Sequence, residues 1–307
     1  QRRVCRPPID GSMKGGQVST TAKVVAASTI LLASDSRTAA LVAPGAGALC
    51  TQFLASTRGD RLLAGSARHP LARSLWRWLE RCTLPGIVVH YWLRKRWIEA
   101  RCRDAIGSGY SRVIVLGAGF DTLACRLAPA FPAVEFVEVD HPATQAVKRK
   151  GLAAAFPGAI ANLRLAAVDF DREVVPRSLL IDSRPTLVIA EGLLMYLDAE
   201  RIGRLLASVL QLSTGPVRLV FSYMVRWSDG ASGFRPGSRV IDLWLAWRGE
   251  PFAWTIEPLA VGDFLRRHGF TLMAAAASGS EWCEGTLRGE NLVVCDVDRT
   301  VERKPPA

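Results

Sequence analysis

Val113-Ile114-Val115-Leu116 runs directly into Gly117-Ala118-Gly119-Phe120-Asp121-Thr122. Four adjacent apolar side chains, three of them β-branched, suit a strand buried on both faces, which requires a sheet covered by helices on each side. The glycines lack Cβ and allow a tight turn into a helix expected from about Leu123. A nucleotide-like group can approach the backbone there and meet the unpaired N–H groups of the helix start. The dinucleotide fingerprint would place a third glycine at position 122, where this chain has Thr, which counts against tight packing of the pyrophosphate of NAD or FAD. A plain strand-to-helix turn uses the same residues, so Gly117 and Gly119 alone select no ligand.

Further β-branched runs alternate with helical ones after residue 112: Glu135 to Val139, Leu163 to Val168, Thr186 to Ala190 and Arg218 to Tyr223. That alternation predicts βαβ units and a parallel sheet. Asp198 is placed to cap a helix carrying Ile202, Leu205, Leu206, Val209 and Leu210 at i, i+3, i+4, i+7 and i+8. A short helix is expected around Val261 to Arg267. The runs Thr271 to Ala276 and Asn291 to Val297 are joined by about 14 residues, too few for a usual crossover of a dozen or more that includes a helix, so they should pair antiparallel. Residues 18–110 read as an all-helical cap, 111–307 as the catalytic domain, and the Gly- and Trp-rich stretch 226–258 as an insertion forming a lid. Residues 1–17 read as a flexible tail, foreign in part, because Gly11-Ser12-Met13 resembles a cloning junction.

The strand ends carry the polar candidates. Asp140 lies 23 residues beyond Gly117 at the end of the second strand, where an ionised carboxylate can accept both hydroxyl protons of a ribose. Pro142 at a first helical position makes Asp140 or His141 an equally natural helix cap. After the third strand Asp169 can accept from an adenine amino group while Phe170 covers the ring. Ala190-Glu191-Gly192-Leu193-Leu194-Met195-Tyr196 puts a carboxylate and a phenol at the end of the fourth strand, at the crevice where open α/β sheets bind ligands.

The chain carries 39 Lys and Arg against 28 Asp and Glu, and the whole excess of +11 lies in residues 1–110, with none in 111–307. Arg-rich helices facing solvent account for this without a nucleic-acid partner. In the segment His90 to Ile106, Leu93, Trp97 and Ala100 share one face, and Arg94, Lys95, Arg96, Arg101 and Arg103 are expected on a solvated basic one. Seven Cys without a Cys-x-x-Cys pair argue against a disulfide framework and for a reducing cytoplasm. None of the four His has metal-site spacing, so no metal is expected. The apolar run Val24 to Ala33 is too short to span a bilayer, and neither export nor a membrane partner is expected.

LRKRWIEARCRDAI, VIVLGAGFDTLACRL, FVEVDHPATQAVKRK, AAVDF and AEGLLMYL, in this order over residues 93 to about 200, resemble the leucine carboxyl methyltransferase family of class I S-adenosylmethionine-dependent methyltransferases. The resemblance is to its bacterial branch near tetracenomycin-type polyketide carboxyl and O-methyltransferases. It implies a Rossmann-like seven-stranded sheet with an antiparallel final pair and S-adenosylmethionine as cofactor. It further implies that Arg94 holds the cofactor's carboxylate, Gly117 and Gly119 form its turn, Asp140 holds the ribose, Asp169 and Phe170 contact adenine, and Glu191 lines the methionine end. STTAKVVAAST resembles the family's Ser-x-Thr-Ala opening but lacks the Arg commonly found shortly afterwards.

Methyl transfer to a carboxylate needs no general base, since the acceptor is already ionised, and the absence of His from the EGLLMYL and GAGFDT segments suits that chemistry. A phenol acceptor would call on His141 or Glu191 as base, with Tyr196 orienting the substrate. The expected acceptor is a small apolar, polyketide-like molecule carrying a carboxylate or hydroxyl. A protein C-terminal carboxylate or a tRNA base are the family's other acceptor classes. More remote readings are a nicotinamide-dependent oxidoreductase and an RNA-binding protein, and the oligomeric state stays open.

Overall fold

In the computed structural model the run that opened the sequence is strand β1 (Arg112–Leu116), and each of its five residues is buried. The structure describes residues 18–170, 175, 182–248, 250–279 and 287–298, so the expected tail at 1–17 lies outside the described residues. β1 pairs in parallel with β2 (Glu135–Asp140) on one side and β4 (Thr186–Ala190) on the other. β3 (Leu163–Ala167) extends the first side and β5 (Val217–Val225) the second. β8 (Glu290–Val297) lies antiparallel between β5 and β7 (Phe270–Ala276), which gives the order β3-β2-β1-β4-β5-β8-β7. This is the seven-stranded order with an antiparallel final pair that the resemblance implies. A two-residue strand, β6 (Thr255–Ile256), adds to the end of β5 and had no expectation in the sequence.

Alternation along the strands feeds two cores. Ile114, Leu116, Val137 and Val139 pack on one face with Ile202, Leu206 and Val209 of α8 (Ala199–Leu210) and with α10 (Val261–Arg267). Val113, Val115 and Phe136 pack on the other with Ile98, Cys102 and Ala105 of α5 (Ile87–Gly107) and with α6 (Leu123–Leu127). Each such Val, Leu or Phe contributes about 1.5–3 kcal/mol relative to an exposed position. Asp198 caps α8 as expected, its side chain accepting from the Arg201 N–H at 2.8 Å.

Four helices precede α5: α1 (Thr20–Ala33), α2 (Ala46–Phe53), α3 (Arg58–Arg68) and α4 (Pro70–Thr83). A third core joins Ile30, Leu31, Phe53 and Leu54 to Trp92 of α5 and to Phe120 in the turn after β1, so the helical region rests on the ligand-facing end of the sheet. The solvated basic face expected of α5 is in part an interior one: Arg94 is only 6% exposed and the Lys95 side chain 11%, although Arg96, Arg101 and Arg103 do face solvent. No described helix is long and apolar enough to cross a membrane.

Two glycines test the packing. α7 (Pro142–Ala155) carries Gly151 where a Cβ would stand 2.6 Å from the Phe53 ring and 3.1 Å from the Gln52 backbone, whereas Gly65 in α3 has open space around it. Alanine for glycine inside a helix normally stabilises by about 1 kcal/mol. Gly65→Ala is expected to do so, while Gly151→Ala should destabilise by about 1–3 kcal/mol because α2 and α7 must part. Urea unfolding of the two variants reads the opposite signs.

Candidate functional site

The crevice forms where strand order reverses, between the carboxyl ends of β1 and β4. Gly117 and Gly119 leave β1 with φ of +64° and +47°, in the left-handed region that glycine enters without strain. Close approach reinforces the choice: a Cβ at Gly117 would lie 3.0 Å from the Leu193 side chain and one at Gly119 3.3 Å from that of Ala22.

Asp140 ends β2 beside this turn. Its Oδ2 accepts from the Gly119 N–H at 2.6 Å and its Oδ1 from the His141 N–H at 2.7 Å. The cap of α7 is His141, whose Nδ1 accepts from the Ala143 N–H at 3.2 Å. Asp140 is therefore spared for the turn; with the Thr144 hydroxyl bonded to it as well, the carboxylate keeps acceptor capacity for one further hydroxyl. Burial pushes its pKa up, against the pull of the two N–H groups and Lys148.

Behind the turn is a cluster of buried charge. Arg94 Nε donates to Glu191 Oε1 at 2.9 Å, its Nη2 lies 2.7 Å from the same oxygen, and Nη1 reaches both oxygens of Glu290 at 2.7 and 2.8 Å. His90, one turn earlier in α5, lies 2.9 Å from Glu290 Oε2 through its Nε2. Lys95 donates to Asp121 at 2.8 Å and lies 3.0 Å from Glu191. Ser222 of β5 accepts the Gly192 N–H at 2.9 Å and bonds to Glu290. Burial alone would push the Glu290 carboxyl up, but Arg94, His90 and Ser222 together outweigh it and bring its pKa down to about 2. The same carboxylates raise the Arg94 pKa against the effect of burial.

A cavity of about 360 Å³ joins these parts. Of the residues expected at the site, Arg94, Gly117, Gly119, Asp140, Phe170, Glu191 and Tyr196 line it. Asp169 sits between two wall residues, Val168 and Phe170, and is not itself part of the wall. Tyr196 stacks near Phe252 at 5.9 Å, and burial, then the neighbouring Tyr91 and Glu250, push its phenol pKa well up, so it stays protonated and acts as a donor. In the 226–258 stretch Phe234 and Phe252 reach the cavity wall. Trp227 and Trp254 pack against the sheet core instead, Trp247 is exposed, and the Trp244 side chain lies outside the described residues.

Sequence reasoning missed Glu290, His90, Lys95 and Asp121 as parts of the site, together with Glu250, which ties the 226–258 stretch to the start of α1. Glu250 accepts from the Thr20 and Thr21 N–H groups at 3.2 Å each and from the Thr21 hydroxyl. Lys95 and Asp121 lie inside the quoted motifs and were open to notice. Glu290 arrives on a strand at the far end of the chain with no local signature.

Fold and site together define an open α/β protein with a cavity at the switch point of its sheet. The chain belongs to the leucine carboxyl methyltransferase family, whose profile matches residues 31–210. A protein of Mycolicibacterium paratuberculosis named "Putative S-adenosyl-L-methionine-dependent methyltransferase" is 31% identical over 192 residues, 59% of this chain and 60% of that one. One of the same name from Mycolicibacterium smegmatis is 30% identical over 216 residues, 65% of this chain and 69% of that one. This chain spans about 60% of the length of three such mycobacterial relatives. Among solved structures, the methyltransferase SibL in its apo form aligns with a TM-score of 0.47 and 20% identity, over 80% of this chain and 61% of that one.

Glu290→Gln is expected to cost about 3 kcal/mol at neutral pH, because it leaves Arg94 and His90 with an uncharged partner in the interior. The Glu290 pKa of about 2 lies below the ordinary 4.5, so the stability it supplies is complete above about 4.5 and is lost as pH falls toward 2. Chemical unfolding across this range should show a steeper acid loss in the parent than in the variant.

Proposed function

We propose that the chain binds S-adenosylmethionine at the Gly117–Gly119 turn and methylates an oxygen, most readily a carboxylate, of a small, largely apolar acceptor. The observation that carries this reading is a cavity that joins the turn and its carboxylates to many apolar side chains. The turn, Asp140 and Glu191 line it, and so do Val25, Leu31, Leu63, Leu79 and Val88 from the helical region. The residues present fit the cofactor: the turn has no Cβ to obstruct it, and Asp140 keeps acceptor capacity beyond its bonds to two N–H groups and Thr144.

Bound there, S-adenosylmethionine supplies an electrophilic methyl group on a sulfonium. Asp140 accepts a ribose hydroxyl and Phe170 meets the adenine, while Asp169, expected beside it, stays outside the cavity wall. Arg94 holds the methionine carboxylate: the chain's own carboxylates engage one N–H on Nε, two on Nη1 and one on Nη2, leaving one on Nη2 next to Gly192. Glu191 lines the same end. Tyr196 donates to the acceptor and orients it, while the apolar walls exclude water, which favours combination of an anion with a sulfonium.

Two groups named as bases for a phenol acceptor are otherwise engaged, and this favours the carboxylate. Glu191 is paired with Arg94 and Lys95, and His141 uses Nδ1 to cap α7. An acceptor that is already ionised asks no proton of either. A polyketide-like body suits the apolar wall and agrees with the family branch the motifs resemble.

Calorimetry should show binding of S-adenosylmethionine and S-adenosylhomocysteine, and no comparable binding of NAD. Asp140→Ala should weaken it by about 1–3 kcal/mol. Arg94→Lys should weaken it too, since the planar fork is lost, whereas Arg103→Lys, at a half-exposed pair with Glu99, should not. Because burial raises the Asp140 pKa, affinity should fall on acidification at a higher pH than an ordinary Asp would set. The product should be an ester that releases methanol in mild alkali. With a carboxylate acceptor kcat should stay flat from mildly acidic to alkaline pH, and a rise through a base pKa or preferential transfer to tRNA would overturn the acceptor assignment.

A further inference from the structure

Helices α3 and α4 form a hairpin with an uncovered outer face. No residue of α4 is buried, and Leu71, Leu75 and Trp78, spaced i, i+4 and i+7, are 77%, 56% and 59% exposed. α9 (Arg239–Arg248) repeats the pattern: Val240, Leu243 and Trp247, spaced i, i+3 and i+7, are 65%, 72% and 70% exposed. Both helices also wall the cavity, α4 through Trp76 and Leu79 and α9 through Ile241 and Leu245. Two walls of one cavity thus carry Leu and Trp stripes on their outer sides, a composition that suits the boundary between headgroups and acyl chains.

Charge selects among the partners such stripes would fit. The hairpin holds six Arg against Asp60 and Glu80. Asp60 is buried against Lys23 at 2.9 Å, and Glu80 accepts the Val88 N–H at 3.1 Å. Arg77 pairs with Asp35 and Arg73 donates to the Ser34 carbonyl, while Arg58, Arg61, Arg68 and Arg81 are exposed. The exposed charges of the hairpin are therefore all cationic. A second copy of this chain docked on the same face would set like charges against each other, whereas an anionic surface complements both the arginines and the apolar stripe.

We propose that α3, α4 and α9 seat the protein on an anionic lipid surface. Leu71, Leu75, Trp78 and Trp247 enter between headgroups whose phosphates the arginines meet. The cavity walled by α4 and α9 then receives an amphiphilic acceptor from the lipid, a step that rests on the function proposed above. This runs against the sequence expectation of no membrane partner.

Cosedimentation of the full chain with phosphatidylcholine vesicles, with and without phosphatidylglycerol, tests it. Binding is expected only with phosphatidylglycerol and should weaken with salt. Leu75→Ser/Trp78→Ser should reduce it about tenfold or more, as should Arg68→Gln/Arg81→Gln. Both double variants should keep the parent affinity for S-adenosylhomocysteine, which separates loss of docking from loss of fold. If the parent binds vesicles but no S-adenosylhomocysteine, the cofactor reading fails and docking stands. Absence of vesicle binding overturns the proposal. So does equal binding to both vesicle types, a parent dimer that the Leu75→Ser/Trp78→Ser variant dissolves, or preference for RNA over vesicles.

Discussion

The arrangement depends on a guanidinium buried between two carboxylates. Removing Arg94 from water costs several kcal/mol, which only close, well-directed counter-charges offset. Those charges come from β4, as Glu191, and from β8, as Glu290, positions 97 and 196 residues further along the chain. One side chain of α5 therefore fixes how the helical region, the parallel half of the sheet and its antiparallel end meet. Apolar side chains of similar volume would fill the same space without the desolvation cost, so stability alone does not call for the cluster, and it borders the candidate site.

The cluster also organises the site's electrostatics. Lys95 extends it to Asp121 in the turn after β1, and Ser222 links Glu290 to the Gly192 N–H. The turn and the segment after β4 are held by the same charges, with donors and acceptors set in place before any ligand arrives. Cations and carboxylates are closely matched within the cluster, and the cavity it borders is lined mainly by apolar side chains, with Glu80 and Glu250 as further acids in its wall.

Much of the fold was legible because local signals agree with it. Val113–Leu116 had no polar residue to place in solvent, Asp198 stood at the start of an unambiguous apolar period, and the short connection before Asn291 excluded a parallel return. α5 was harder to read. Its buried residues include His90 and Arg94 along with Trp92 and Ile98, so hydrophobic periodicity does not mark its inner face. Seven of the eight candidate site residues reach the cavity, six of them from strand ends whose motifs report strand order and Arg94 from α5. Glu290 and Glu250 were out of reach, since each acts on a partner set only by the tertiary fold.

A crystal structure of the chain grown with S-adenosylhomocysteine tests the central claim most directly. The account predicts a ribose hydroxyl on Asp140, the adenine beside Phe170 and the homocysteine carboxylate toward Arg94, with Glu290 still paired to that arginine. A ligand bound away from the Gly117–Gly119 turn, or a turn that excludes it while another nucleotide binds there, would contradict it.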